Sequence, residues 1–135
     1  MDRISQELRS ETMRRIRSTD TTPERAVRSI VSRLGFRYRL HAKDLPGKPD
    51  LVFRSRKKII FVNGCFWHFH QECGTAHFPK SRLDYWIPKL ERNKRRDGIN
   101  HSKLKELGWA ILVVWECEVK DTENLSSRLS RFLGS

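Results

Sequence analysis

Apolar residues along the chain recur with helical and extended periods in turn. The first helical pattern runs from Ala26 to Leu34, with apolar residues recurring every three or four positions, and Gly35 follows it. Thr22 is the predicted N-cap and Pro23 the first helical residue, because both residue types are favoured at those positions. The pattern therefore predicts an amphipathic helix that ends at Gly35.

Three segments in the first half have the character of β-strands. Residues 36–41 alternate apolar and basic side chains, which is typical of a half-exposed strand. Residues 51–53 and 58–62 are apolar runs, separated only by the basic segment 54–57. Two strands joined so closely are expected to pair in antiparallel fashion.

In the second half of the chain, predicted helices again alternate with a predicted strand, and the first of these helices is long. A polar, mostly basic helix is predicted over Asp84–Leu107, and Gly108 ends it. Residues 109–115 form the most apolar run, which predicts a central strand covered on both faces. A last helix is capped by Asp121 or Thr122 and carries apolar residues at Leu125, Leu129 and Phe132. This order predicts an α/β sandwich on a mixed sheet, with residues 1–135 as a single domain.

The charge balance is strongly basic, with a formal net charge of +12 and a pI near 10.3. Basic side chains gain affinity for nucleic acid by displacing counterions from phosphates. A membrane surface is the competing polyanion, but no apolar run reaches the roughly 20 residues that cross a bilayer. The N-terminus has no apolar stretch typical of a secretion signal. We expect a cytoplasmic protein that binds nucleic acid and no membrane.

Soft metal ligands cluster after the second apolar strand. The candidate zinc ligands are Cys65, His70, Cys73 and Cys117. An odd number of cysteines in a reducing compartment favours metal ligands or buried thiols over disulfides. A set of three cysteines and one histidine suits a closed, structural zinc site. His68 or His77 could replace His70, and the competing interpretation is three buried thiols with two surface histidines.

Another group of residues is suited to hydrolysis. Asp50 begins a strand whose predicted neighbour ends at Val62, and a carboxylate there could bind Mg²⁺. His68 could act as a general base or acid. Glu24, in the first turn of the first helix, is a candidate second carboxylate. Each residue alone also has an ordinary explanation, as a turn residue, a surface histidine or an acid at a helix N-terminus. Their joint geometry decides between the two.

Large aromatic residues fall where core packing is difficult to arrange. Phe66 and Trp67 lie in the ligand-rich loop, and Trp86 opens the long helix. Apolar wedges between base steps unstack and bend a duplex, so these rings are candidates for DNA contact. A local aromatic cluster over the loop is the alternative. The basic residues 1–19 are predicted to form a helix or arm that orders on DNA, or else a solvated tail or docked helix.

Five blocks of the sequence together resemble the very-short-patch repair (Vsr) endonuclease family. They are Met13–Glu24, Leu45–Val52, Gly64–His70, Glu106–Trp109 and Val114–Cys117, in the family's order. The Gly-Cys-Phe-Trp-His block is the most specific of them. The resemblance implies a restriction-endonuclease-like fold with one structural zinc. It also implies an enzyme that nicks one strand beside the thymine of a T·G mismatch, and so begins repair of deaminated 5-methylcytosine.

The resemblance further implies a role for each matching residue. Asp50 would bind Mg²⁺ together with the backbone carbonyl of Val62, His68 would be the general base, and Glu24 would be a supporting acid. The zinc would be held by Cys65, His70, Cys73 and Cys117. The side chains entering the DNA would be Met13, Ile16, Phe66, Trp67 and Trp86.

The sequence departs from the family pattern at Asn63, where a histidine is often found. Asparagine can hydrogen-bond a phosphate or orient a water, but it cannot carry a proton. Residues 61–63 also lack the acid and lysine of the wider nuclease superfamily, so His68 must take the lysine's task. The Cys65–Cys73 loop is one residue longer than in the best-known members, which bears on the zinc ligands.

The sequence therefore predicts a monomeric, nucleoid-associated nuclease acting on T·G-mismatched duplex DNA, with downstream repair proteins as possible partners. Two other functions are compatible with the same features. One is a zinc-stabilised DNA-binding module without catalysis. The other is a restriction-type nuclease that cuts matched DNA.

Overall fold

The computed structural model describes residues 21–40, 42–65, 68, 70 and 82–134. Within these ranges the α-helices are α1 (Thr22–Arg33), α2 (Leu83–Glu106) and α3 (Thr122–Gly134). The strands are β1 (Arg39–Leu40), β2 (Leu51–Phe53), β3 (Lys58–Asn63) and β4 (Ala110–Trp115), joined in one sheet. The mixed α/β architecture and the order of its elements are as predicted. The predicted N-terminal arm, residues 1–19, lies outside the described residues.

Among the described strands, β3 rather than β4 lies inside the sheet. The strand order is β1-β2-β3-β4, with β3 antiparallel to β2 and parallel to β4. The prediction that residues 109–115 form a central strand is therefore wrong. Only Val114 of β4 is fully buried. The predicted cover on both faces is also incomplete, because the other residues of β4 are half-buried or exposed. An apolar run carries no information on how many strands flank it.

Alternate residues of the strands feed two separate apolar layers. On one face, Ile60 and Val114 pack against α1 and α3, which contribute Val27, Ile30, Val31, Leu125, Leu129 and Leu133. On the other face, Ile59 and Phe61 pack with Leu104 of α2 and with Trp109. The sheet is thus held between helices on both sides, and the ends of β3 and β4 are held in fixed positions.

The first helix begins one residue earlier than predicted, with Thr21 as its N-cap instead of Thr22. The Thr21 hydroxyl accepts a hydrogen bond from the Glu24 backbone N–H, and the Glu24 carboxylate accepts one from the Thr21 backbone N–H. This reciprocal pair is a capping box. Gly35 ends the helix with a φ of +89°, in the left-handed region that glycine adopts without strain.

Of the strand predicted over residues 36–41, the described residues 36–40 contain β1 at Arg39–Leu40, and His41 lies outside the described residues. The apolar residues before it are fixed by side-chain contacts instead of sheet hydrogen bonds. Phe36 packs under the guanidinium of Arg56, whose Cζ lies 4.8 Å from the ring centroid. Tyr38 makes an edge contact with Phe53, with ring centroids 6.3 Å apart. The alternating pattern therefore corresponds to the partial burial of Phe36 and Tyr38, whereas Leu40 is exposed.

The last helix is capped by Asp121, whose Oδ1 accepts a hydrogen bond from the Asn124 backbone N–H at 3.2 Å. Leu133 is fully buried after Leu129, and the predicted Phe132 is partly buried and packs against the same core. At the other end, Lys58 Nζ donates to the carbonyl of Phe132. None of the helices in the described ranges has the length and apolar character required to cross a membrane.

The turn before Asp50 fits closely against α2. Gly47 has a φ of +79°, and a Cβ built there would lie 3.2 Å from the Asn100 Cβ and 3.3 Å from the Phe61 ring. Glycine is therefore required for both its conformation and its size. This contact fixes the loop that carries Asp50 onto the helix.

We expect Gly47→Ala to lower the free energy of unfolding by about 1–3 kcal/mol, through backbone strain and overpacking. Gly98→Ala is the matched control, because Gly98 lies in the middle of α2 and a Cβ there would meet no atom within 4 Å. That substitution should raise stability by about 0.5–1 kcal/mol. Urea denaturation of both variants measures the difference. Equal effects of the two substitutions would contradict the close approach at Gly47.

Candidate active site and metal centre

The Asp50 side chain joins the start of β2 to the end of β3. Its Oδ2 accepts a hydrogen bond from the Val62 backbone N–H at 2.7 Å. Asp50 is thereby held beside Val62, the residue whose carbonyl was predicted to share a metal ion with it. The loop and the strand reach this point from opposite directions because β2 and β3 are antiparallel.

Glu24 brings a second carboxylate to Asp50. The Glu24 side chain is 5% exposed, and one of its oxygens accepts the Thr21 backbone N–H at 2.7 Å. Burial, and then a side-chain hydrogen bond with Glu24, raise the pKa of Asp50 to about 8. The negative charge of Glu24 acts in the same direction, whereas the Val62 N–H and the charge of Arg28 oppose it. At neutral pH the two carboxyl groups therefore hold a shared proton.

Two adjacent buried carboxyl groups are a suitable donor set for a hard divalent cation, because such ions prefer oxygen ligands. A cation would also remove the repulsion that now keeps a proton between them. Asp50 and Glu24 therefore fit the predicted magnesium site. The predicted pairing of these two residues, which lie far apart in sequence, is found in the structure.

His68 is paired with Asp97, a residue that the sequence analysis did not identify. The Nδ1 atom of His68 is hydrogen-bonded to Asp97 Oδ2. The His68 backbone N–H donates to the Gly64 carbonyl at 3.2 Å, which folds the loop back towards β3. A carboxylate on Nδ1 favours the tautomer that leaves Nε2 to accept a proton. This is the arrangement required of a general base.

A signal for Asp97 was present in the sequence. It lies seven residues after Leu90 and seven before Leu104, and both leucines are fully buried on the inner side of α2. Residues seven apart share a helix face, so an acid between these two leucines points inward. A charged residue on an apolar face requires a partner, which here is His68.

His101 is another inward histidine, one helical turn beyond Asp97. Its ring lies against Phe61, with centroids 4.8 Å apart. Burial lowers the pKa of His101, the negative charge of Asp97 raises it, and the charges of Lys105 and His68 lower it. The His101 side chain thus lies close to the His68–Asp97 pair.

A separate group of soft ligands lies after the ends of β3 and β4. The ligand atoms of Cys65, His70 and Cys117 all lie within 4.8 Å of one another. Cys117 Sγ is 3.7 Å from His70 Nδ1. A thiolate and an imidazole bound to one tetrahedral zinc would be about 3.5 Å apart, so the separation fits. Cys73, the fourth predicted ligand, and His77, an alternative one, lie outside the described residues.

The backbone around this cluster is held by hydrogen bonds. The His70 N–H donates to the Cys65 carbonyl at 2.8 Å, and the Cys65 N–H donates to Glu116 Oε1 at 3.2 Å. Three of the four predicted metal ligands therefore converge, including the distant Cys117. The competing interpretation, three buried thiols with two surface histidines, does not account for this convergence.

Trp115 separates the soft-ligand cluster from the His68–Asp97 pair. The His70 ring stacks on it with centroids 4.0 Å apart and an angle of 9°. The His68 ring makes an edge contact with the same tryptophan at 6.3 Å. From the sequence, Trp115 is predicted only as the last residue of a strand. In the structure its ring contacts the rings of both histidines and so helps to orient them.

Of the remaining predicted site residues, two are described by the structure and four are not. Asn63 is 4% exposed at the end of β3. Trp86 is 6% exposed on the inner side of α2, so its ring would have to leave this packing to enter a duplex. Four further predicted DNA contacts lie outside the described residues: Met13, Ile16, Phe66 and Trp67. DNA binding by any of these six stays a prediction.

Comparison with known proteins gives a consistent result. The family model described as DNA mismatch endonuclease Vsr matches residues 1–74. The type II nicking enzyme V.XorIIP of Xanthomonas oryzae pv. oryzae is 51% identical over 132 residues, covering 98% of this chain and 96% of that protein. V.NmeAIP of Neisseria meningitidis is 42% identical, covering 93% and 89%. DNA mismatch endonuclease Vsr of Escherichia coli is 39% identical, covering 87% and 75%.

The Asp50–Glu24 pair makes stability depend on pH. The pKa of Asp50 is about 8 in the folded chain against an ordinary value of 3.8, so the folded state holds an extra proton between these values. The resulting stabilisation is complete below pH 4 and is lost as pH rises through 8. Without magnesium, we expect the stability of Asp50→Asn relative to wild type to increase by roughly 1 kcal/mol per pH unit from pH 6 to 8.

Chemical denaturation in buffers free of magnesium but with the zinc retained measures this difference. Asp84→Asn is the control, because Asp84 is exposed on α2. It should follow the wild-type pH dependence. If the Asp50→Asn and wild-type curves were parallel, the two carboxyl groups would not share a proton.

Proposed function

The chain belongs to the Vsr family of DNA mismatch endonucleases, and we propose that it nicks one strand of duplex DNA beside the thymine of a T·G mismatch. Such a nick would begin very-short-patch repair of deaminated 5-methylcytosine. One observation carries the proposal for this chain. The paired carboxyl groups of Asp50 and Glu24 and the His68–Asp97 pair are both anchored at the C-terminal end of β3.

The chemistry proposed for this site is hydrolysis of a phosphodiester. Asp50, with the Val62 carbonyl and Glu24 in support, would hold Mg²⁺, which supplies charge stabilisation at the phosphate when bound. His68 accepts a proton at Nε2 from the attacking water, and Asp97 stabilises the imidazolium that results. Asn63, whose side chain cannot carry a proton, would hydrogen-bond the phosphate or orient the water.

The mismatch specificity is proposed to come from aromatic and apolar wedges. Phe66, Trp67 and Trp86 would enter the duplex beside the mispair. Met13 and Ile16 would enter it from the N-terminal arm. Unstacking is least costly at a mismatch, which would give these side chains a preference for T·G over matched pairs.

The fold is proposed to be restriction-endonuclease-like, with 1–135 as one domain and the soft-ligand cluster as a structural zinc site. Zinc is proposed because two thiolates and an imidazole, with Cys73 as a fourth ligand, suit a closed tetrahedral site. It would hold the loop on which His68 lies. We propose a cytoplasmic, nucleoid-associated monomer that hands its product to downstream repair proteins.

Asp50→Ala and His68→Ala should bind a T·G duplex but nick it at least about 100-fold more slowly, because each lacks a reacting group. Glu123→Ala, at an exposed acid on α3, is the control and should nick at the wild-type rate. The assay uses end-labelled T·G and matched duplexes with Mg²⁺.

The same assay tests the competing functions. Nicking of T·G but not of matched DNA supports the proposal. Equal cleavage of both duplexes would favour a restriction-type nuclease, and binding without cleavage in Mg²⁺ or Mn²⁺ would favour a DNA-binding module. Wild-type nicking by either Asp50→Ala or His68→Ala would overturn the catalytic assignment.

Cys117→Ser should lose the bound zinc and unfold at a lower temperature, since one thiolate of the cluster is removed. Elemental analysis of the purified variant measures the zinc content. His77→Ala is the companion variant and should keep one zinc per chain. Full zinc in Cys117→Ser would remove this residue from the ligand set, and loss of zinc in His77→Ala would add His77 to it.

A further inference from the structure

One side of α2 carries cations without acids. At about 3.6 residues per turn, positions 85, 89, 92, 96, 99 and 103 fall in a single line along a helix. We call this line the basic row, and its members are Tyr85, Lys89, Arg92, Arg96, Ile99 and Lys103. All are exposed except Lys89, which is half-buried. The row therefore presents four positive charges to the surroundings.

The back of the same helix has the opposite balance. The next line of exposed positions around the helix runs through Asp84, Pro88, Glu91, Arg95, Gly98, Ser102 and Glu106. They carry three acids and one cation. Charges that served only to solvate the helix would be mixed on its most exposed side. The basic row instead carries four cations and no acid, whereas the other cations of α2 are Arg95 on the back and Lys94 and Lys105 on the opposite flank.

The basic row adjoins the catalytic residues. Asn93 and Asn100 lie on α2 between the basic row and the inward face that carries Leu90, Asp97 and Leu104. Arg96 Nη2 donates to Asn93 Oδ1 at 2.5 Å, so the basic row is in contact with Asn93. Asp97 is hydrogen-bonded to His68. A strand whose phosphate lies at His68 is therefore beside the basic row.

An exposed aromatic ring stands at one end of the row. Tyr85 is 47% exposed, and its ring meets the edge of the buried Trp86 ring with centroids 4.9 Å apart. Arg82 Cζ lies 5.3 Å and Lys89 Nζ 5.6 Å from the Tyr85 centroid. Because a cation at a helix N-terminus is disfavoured by the helix dipole, Arg82 is not explained by helix stability. Rings beside cations are a recurring feature of sites that bind single-stranded nucleic acid.

We infer that the basic row binds the phosphates of one DNA strand lying along α2, and that Tyr85 stacks on an unstacked base at the end of this track. The inference rests on the proposed function, because the strand is the one that reaches His68. From Tyr85 to Lys103 the row extends about 27 Å at a rise of ~1.5 Å per residue. This is about eight stacked nucleotides of one strand.

The phosphate contacts are tested by equilibrium binding of the whole chain to a T·G duplex without Mg²⁺, over a range of salt. Arg92→Gln, Arg96→Gln and Lys103→Gln should each reduce the slope of log K against log salt by about 0.9. They should weaken matched and mismatched duplexes by the same factor. Arg95→Gln removes the same charge from the back of α2 and should leave the slope unchanged.

The stacking contact is tested with a nicked T·G duplex that carries unpaired bases at the break. Tyr85→Leu, which keeps apolar bulk on the surface, should weaken binding roughly 5- to 150-fold. Tyr85→Phe keeps the ring and should bind as wild type does. If leucine and phenylalanine variants bind equally well, Tyr85 does not stack on a base.

The salt experiment overturns the inference if the three row variants keep the wild-type slope, which would leave the row for an acidic protein partner. The inference is also overturned if Arg95→Gln reduces the slope as much as the three row variants reduce it. Nicking by wild type with Mg²⁺ is measured in parallel. Nicking with unchanged slopes removes the inference alone, whereas failure of wild type to bind any duplex removes the proposed function as well.

Discussion

The parallel pairing of β3 with β4 is the constraint on which the site depends. Its register sets Val62 beside Val114 and Asn63 beside Trp115. The two chains therefore leave the sheet at the same end, and Cys65 and Cys117 meet although they are far apart in sequence. A slip of one residue would turn every side chain of one strand to the opposite face. Such a slip would both expose the apolar layers and separate the two thiols, so the fold and the soft-ligand cluster depend on the same register.

The hydrogen bond from Val62 to Asp50 connects this constraint to the chemistry. The carboxylate position is fixed by a backbone group of the inner strand, which side-chain motion cannot easily displace. Glu24 reaches the same point from a helix whose start it also caps. Two carboxyl groups are forced together by elements that are stable for other reasons. Their repulsion is a cost of the fold that a proton or a cation offsets.

Local patterns predicted what depends on local chemistry. Spacing and capping preferences predicted the first helix, with its N-cap one residue late, the tight antiparallel pair around residues 54–57 and the last helix. They did not predict the position of β4 in the sheet, because lateral order depends on contacts between distant segments. The Asp50–Glu24 pair could be suggested but not established from sequence, since neither residue is unusual alone. Asp97 was available from its spacing with Leu90 and Leu104, but the basic character of the helix obscured it.

The loop that carries the two histidines has a consequence for how such sequences can vary. His68 and His70 are only two positions apart in sequence. His68 is hydrogen-bonded to Asp97, whereas His70 lies beside the Cys117 thiol, and the Trp115 ring contacts both histidines. Their backbone N–H groups are tied to Gly64 and Cys65. An inserted or deleted residue within this short span would exchange or misdirect both roles at once. In relatives whose loop is longer or shorter, we therefore expect the inserted or deleted residue to lie after His70, where it does not change the position of either histidine.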